Sequence, residues 1–173
     1  MRINLSCPIS GKRRDNNIAR LVAGQVLIIA IVLRGLVAWP NRIGAAYQPG
    51  AVTNVIALIL ALALAVDFAI RGLWSPRYSP LALVGRGVSS GLKLKPKMTD
   101  AAPKIFAARI GLVMALTAAI LIIAGLHTAA QIVLVILSVA AFLEAAFSFC
   151  LGCQVYSLLP RHIGNVLARD FAG

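Results

Sequence analysis

Four stretches of this chain, at 21–39, 51–70, 105–126 and 129–149, each run for about twenty residues and are almost free of charge. No other feature narrows the fold as much. A helix needs about twenty mostly apolar residues to cross the hydrocarbon of a bilayer. In that medium every backbone N–H and C=O must be satisfied within the protein, which isolated runs achieve only as helices. The expected class is therefore all-α integral membrane, with four transmembrane helices and both termini on one side. A content of 60% hydrophobic residues is far from that of soluble domains and fits one membrane domain over residues 1–173.

Charge sets the expected orientation. The chain holds 17 Lys and Arg against 5 Asp and Glu, a net charge of +12. The arm at 1–20 carries Arg2, Lys12, Arg13, Arg14 and Arg20. The middle loop, with the residues that flank it, carries Arg71, Arg77, Arg86, Lys93, Lys95, Lys97 and Lys104, and the tail at 150–173 adds Arg161 and Arg169. Outside the spans, the other side holds only Arg42. The positive-inside rule places the arm, the middle loop and the tail in the cytoplasm. The same distribution speaks against nucleic acid as a partner, because the charges flank apolar runs instead of forming a soluble basic face. No small-residue cleavage site closes the first run, which is read as a retained span and not a signal peptide. Arg34 interrupts that run five residues before Trp39 and is expected to snorkel. Asn41, Pro49 and Gly50 mark the loop after it, and His127 with Thr128 is expected to form the tight turn between the last two spans.

The middle loop has its own pattern. Ser79-Pro80 reads as an N-cap followed by proline at the first helical position, and Leu81, Val84, Val88 and Leu92 recur at three- and four-residue spacing. A short interfacial helix follows, with Trp74 and Tyr78 at headgroup depth and Lys93, Lys95 and Lys97 facing anionic lipid phosphates. Two spans carry ridges of small residues: Ala57, Ala61, Ala65 and Ala69 in the second, Ala107, Gly111, Ala115 and Ala119 in the third. Such ridges let helix backbones approach closely, so these two helices are expected to pack together.

Two sets of residues could carry chemistry. Charges inside a span are expensive and point to function by default; here they are Asp67, Arg109 and Glu144, all near the cytoplasmic ends of their helices. Glu144 shares a face with Ala140, Ser148 and Gly152 and is expected to point inward. Asp67 can pair with Arg71 at i+4, and Arg109 can snorkel. The second set is Cys150-Leu151-Gly152-Cys153, with Cys7 as a third thiol. The C-x-x-C spacing serves thiol–disulfide exchange, in which one sulfur attacks and the other resolves. It also serves metal binding, in which two thiolates share a zinc or iron ion with Cys7 and His162 as further ligands. Inert packing of small polarizable side chains is the plain structural alternative. Tyr156 fits an interfacial aromatic belt, and no phosphate loop or Ser-His-Asp arrangement is present.

The chain resembles a bacterial four-helix membrane family catalogued as domain of unknown function 4395. The resemblance rests on Cys7-Pro8, Arg14-Asp15-Asn16-Asn17 with Ala19-Arg20, Asp67-Phe68 with Arg71-Gly72, and Ser75-Pro76-Arg77-Tyr78-Ser79-Pro80-Leu81. It continues through Lys95-Pro96-Lys97, Pro103-Lys104, Phe106-Ala107-Ala108-Arg109-Ile110-Gly111, Leu143-Glu144 and Phe149-Cys150-Leu151-Gly152-Cys153. Asn16 departs from it, since an acidic residue is expected there. Association of similar proteins with thioredoxin-like or sulfurtransferase proteins implies thiol or sulfur chemistry, though no established reaction. The leading expectation is thus a thiol-active membrane protein, with Cys7, Cys150 and Cys153 as its reactive residues, no cofactor, and a thioredoxin-like or rhodanese-like cytoplasmic partner. A transporter of a small sulfur species, which would need a homo-oligomer or larger complex to form a path, is one alternative. A metal-binding or structural accessory subunit is the other.

Overall fold

The computed structural model describes residues 13–42, 51–74, 77–93, 95, 98–100 and 102–149. A strand β1 (Arg13–Asp15) leads into helix α1 (Asn16–Arg42), followed by α2 (Ala51–Ala69), which loosens into a π-helical turn at Ile70–Trp74. A shorter helix α3 (Pro80–Gly91), strand β2 (Met98–Asp100), α4 (Ala102–Ile123) and α5 (His127–Phe147) complete the order. Among the described residues four helices are long and apolar enough to cross a membrane, within Asn16–Ala38, Val52–Trp74, Lys104–Ile123 and His127–Phe147. The chain is, on these grounds, a multi-pass membrane protein.

The long helices form a ring in which α1 packs on α2, α2 on α4, α4 on α5, and α5 back on α1. The small residues explain the closeness of α2 and α4. Ala57, Ala61 and Ala65 of α2 and Ala115 and Ala119 of α4 are buried, whereas Ala69 and Ala107, nearer the helix ends, are half-buried. Phe68 lies over Gly111, where an added Cβ would stand 2.5 Å from the ring. Bulk instead faces outward: Ile28 and Ile31 on α1, Ile59 and Val66 on α2, Val113 and Ile120 on α4, and Ile132 and Val139 on α5 are exposed. That inversion suits a lipid solvent, in which close backbone approach drives association and apolar side chains lose nothing by facing out.

The architecture is helical, joined by a short ribbon in which β1 and β2 pair antiparallel with Arg13 opposite Asp100 and Asp15 opposite Met98. Helix α1 extends beyond the first apolar run to Asn16, since Asp15 Oδ1 accepts the Asn17 N–H at 2.9 Å and caps it. One sequence expectation is corrected. The turn before α5 is built by Gly125 at φ 72, whose N–H donates to Ile122 O at 3.1 Å while Leu126 N–H donates to Leu121 O at 2.9 Å. His127 and Thr128 are therefore the first residues of α5 and not the turn itself.

Ser79 is the N-cap of α3, with Pro80 as its first residue, and its side chain accepts the Ala82 N–H at 3.2 Å. Helix α3 lays Ala82, Gly85 and Ser89 inward and packs on α1, where a Cβ on Gly85 would meet Val22 at 3.2 Å. Leu83, Val84, Val88 and Leu92 stay exposed. Gly111→Ala should lower the melting point of the detergent-solubilised protein, by about 1–3 kcal/mol of overpacking. Gly24→Ala, where nothing lies within 4 Å of the new Cβ, should leave it unchanged or raise it; equal losses at both sites would refute the tight α2–α4 seam.

Candidate functional site at the charged end of the bundle

The end of the bundle that holds the α1 start, the α2 end, the α4 start and the α5 end gathers most of the polar chemistry. At its centre is Asp67, only 2% exposed. Its Oδ1 accepts the Ser79 hydroxyl at 2.5 Å and the Leu81 N–H at 3.2 Å, while Oδ2 lies 2.6 Å from the Arg71 guanidinium. The carboxylate thus ties α2 to the first turn of α3, where negative charge also complements the helix dipole. Arg71 lies over the Phe68 ring, 4.6 Å from its centroid. Its Nε is buried and has no acceptor.

The π-helical turn gives Arg109 a protein partner. Loosening the i to i−4 ladder frees carbonyls, and Arg109 Nε donates to the Gly72 carbonyl at 2.9 Å. A Cβ on Gly72 would stand 3.1 Å from Arg109 Cγ, so the glycine leaves room for the close approach. Glu144 is half-buried and within Coulombic reach of Lys104 and Arg71. Asp67, Arg71, Arg109 and Glu144 therefore occupy one end of the bundle.

A second lattice ties the start of α1 to the end of α5. Arg20 donates from Nε to the Ala145 carbonyl at 2.9 Å and from Nη2 to the Ala146 carbonyl at 3.1 Å. It satisfies two of the last carbonyls of α5 and places a cation at the negative end of the helix dipole. Asn16 Oδ1 accepts from Lys104 Nζ at 3.0 Å, and Asn16 Nδ2 lies 3.5 Å from Ser148 Oγ. Asn16 thus bridges α4 and the end of α5 as acceptor from Lys104 and donor to Ser148. Asn17 Nδ2 donates to the Lys95 carbonyl at 2.8 Å, which fastens the segment ahead of β2. Ser148 closes α5 in the left-handed region at φ 56, its N–H turned to the Glu144 and Leu143 carbonyls. Phe149 is the last described residue before Cys150.

Cys7, Cys150, Cys153 and His162, like Tyr156, lie outside the described residues. Among the described residues no group of three or more His, Cys, Asp or Glu side chains is placed to hold a metal ion. Sequence reasoning found the Asp67–Arg71 pair but missed Ser79 as its second partner. It also missed Arg20 and Asn16 as the residues that finish α5. The available signal for Arg20 was a cation at a span boundary, one helix start away from an uncapped helix end.

A ring of four membrane-length helices, with a buried carboxylate and a polar lattice at one end, defines a compact polytopic membrane protein. The family model described as Domain of unknown function (DUF4395) matches residues 15–161, and the chain belongs to that family. None of the curated proteins and none of the solved structures matches it.

Replacing Asp67 by Asn should destabilise the protein by roughly 3–5 kcal/mol, because the Arg71 charge is left buried without its partner. The double variant Asp67→Asn with Arg71→Met should recover part of that loss in thermal unfolding of the solubilised protein. A double variant no better than the single one would place the loss in the cap of α3 alone.

Proposed function

We propose that the protein is a thiol-active membrane protein. Cys150 and Cys153, with Cys7 brought beside them by the arm, exchange electrons or sulfur with a thioredoxin-like or rhodanese-like partner in the cytoplasm. The observation that supports this reading is the lacing of α1 to α5. Cys7 lies eight residues ahead of Asp15, and Cys150 follows Phe149 directly. Both cysteine-bearing segments thus leave the same end of the bundle, at residues held together by Arg20, Asn16 and Lys104. Cys7 and the pair are far apart in sequence, and an exchange centre needs its sulfurs within bonding reach, with Cα atoms no more than about 7 Å apart.

In the electron-transfer form, the thiolate of one cysteine attacks a partner disulfide, forming a mixed disulfide and releasing a partner thiolate. A second thiol of this chain loses its proton and attacks the mixed disulfide. The chain is then oxidised to a disulfide and the partner is reduced by two electrons; the reverse sequence reduces this chain. Basic groups favour the thiolate form, and fourteen of the seventeen Lys and Arg flank the cytoplasmic side by the positive-inside rule. The exposed face of α3, with Trp74 and Tyr78, lies against the headgroups of a bacterial inner membrane.

Reporter fusions should place both termini in the cytoplasm, and a periplasmic carboxyl terminus would remove the cysteines from the proposed partner. Mass spectrometry of protein trapped in cells with an alkylating agent should find a disulfide or persulfide on Cys150 or Cys153. Cys153→Ser should accumulate a mixed disulfide on Cys150, or Cys150→Ser one on Cys153. Fully alkylated thiols in every sample refute the exchange reading, and zinc or iron bound in stoichiometric amount replaces it with a metal site formed by Cys7, Cys150, Cys153 and His162.

A further inference from the structure

The opposite end of the bundle carries a cation that no acidic side chain among the described residues neutralises. Arg34 lies on α1, roughly 21 Å along the helix from Arg20 at 1.5 Å per residue. It is half-buried, its Nε is fully buried, and that N–H has no acceptor. Its main-chain carbonyl accepts from Gln131 Nε2 at 2.8 Å, which fixes its level beside the first turns of α5. His127, one turn from Gln131 on the same face of α5, has a buried Nδ1 that is also without a partner. The N-cap position of α5 is Leu126, which offers no side-chain acceptor to the first-turn N–H groups.

The chain has only five acidic residues. Asp15 and Asp100 flank the ribbon, Asp67 ends α2 and Glu144 ends α5, all at the other end of the bundle. Asp170 lies outside the described residues. No carboxylate of the described residues can reach Arg34. A guanidinium inside an apolar span is costly without a counter-charge, and the carbonyl contact with Gln131 puts Arg34 at the level of the first turns of α5, the positive end of its dipole.

The geometry points to an oxyanion-binding site at this end, in which the Arg34 guanidinium is the charged ligand and His127 and Gln131 flank it. A guanidinium presents paired donors that match two oxygens of a phosphate-like group. The oxyanion is either the phosphate of a phospholipid headgroup or a free inorganic anion of the phosphate or sulfate type. This site is independent of the thiol chemistry proposed above, and its test uses no cysteine.

The test compares the full chain with Arg34→Gln, Arg34→Lys and, as a control at the other end, Arg77→Gln. Melting of detergent-purified protein is followed as inorganic phosphate or sulfate replaces chloride at constant ionic strength, which reads the free-anion source. Native mass spectrometry of protein extracted from vesicles of phosphatidylglycerol and phosphatidylethanolamine counts retained phospholipid, which reads the lipid source. Wild type and Arg77→Gln should show one of the two effects, Arg34→Gln should weaken it by about tenfold or more, and Arg34→Lys should keep part of it. An unchanged effect in Arg34→Gln overturns the site. Should Arg34→Gln not fold, wild type decides: neither anion stabilisation above that of chloride nor retained phospholipid also overturns it.

Discussion

Much of the charged end depends on a single carboxylate. Asp67 lies two residues from the end of α2, yet it holds the hydroxyl of the Ser79 cap, the Leu81 N–H and the Arg71 guanidinium together. A buried charge at a membrane boundary persists only when its oxygens are satisfied, and these three groups supply that. Because the carboxylate belongs to α2 and two of its donors belong to the α3 start, the middle loop cannot leave the bundle without exposing an unpaired charge. That latch brings α3 onto α1 at Gly85 and leaves the apolar residues Val84, Val88 and Leu92 outward. The loop thereby becomes a fixed part of the bundle surface.

The lacing of α1 to α5 follows a different logic, that of helix ends. A helix leaves its last carbonyls without intrahelical partners, and a cation from a neighbour is one way to satisfy them. Arg20 does so for α5 while Asn16 and Lys104 bring α4 into the same lattice. Ser148 can then hold a left-handed conformation that a residue with a Cβ adopts at some cost. The consequence for the proposed chemistry is positional: the direction in which the chain leaves α5 towards Cys150 is set by three helices and not by one.

Much of this was legible in the residues. Length and hydropathy defined the four spans because the bilayer leaves few alternatives, and Ser79-Pro80 announced α3 through the chemistry of its cap. The alanine ridges foretold the α2–α4 seam, since spacing by four puts small residues on one face. Other features were hidden because they depend on partners distant in sequence. The ribbon pairs Arg13–Asp15 with Met98–Asp100, and neither three-residue strand has enough alternation to be recognised alone. The π-helical turn has no sequence signature of its own; it shows itself through Arg109 reaching the Gly72 carbonyl. The turn before α5 was misplaced because His127 and Thr128 are polar, whereas the backbone demanded the glycine two residues earlier. The cysteines are conspicuous in sequence but lie outside the described residues.

The two ends of the bundle are separated by an interior that bears on the choice between exchange at one face and passage across. Between the layer of Asp67 and Glu144 and the layer of Gln131 and Arg34, Ser138 is the one buried polar side chain among the described residues, and its hydroxyl is already donated to the Leu134 carbonyl at 2.7 Å. Ala61, Ala65, Ala115, Ala118 and Leu137 are buried in the ring's two apolar clusters. An ion or sulfur oxyanion moving through that interior would lose its hydration and meet no replacement donors, at a cost of several kcal/mol for each unsatisfied polar group. The helix ridges that let α2 and α4 approach closely are the same residues that deny a polar route. Close packing and a permeation path therefore compete for one surface in this bundle, and the sequence has spent it on packing, which favours chemistry confined to the end from which the cysteine segments depart.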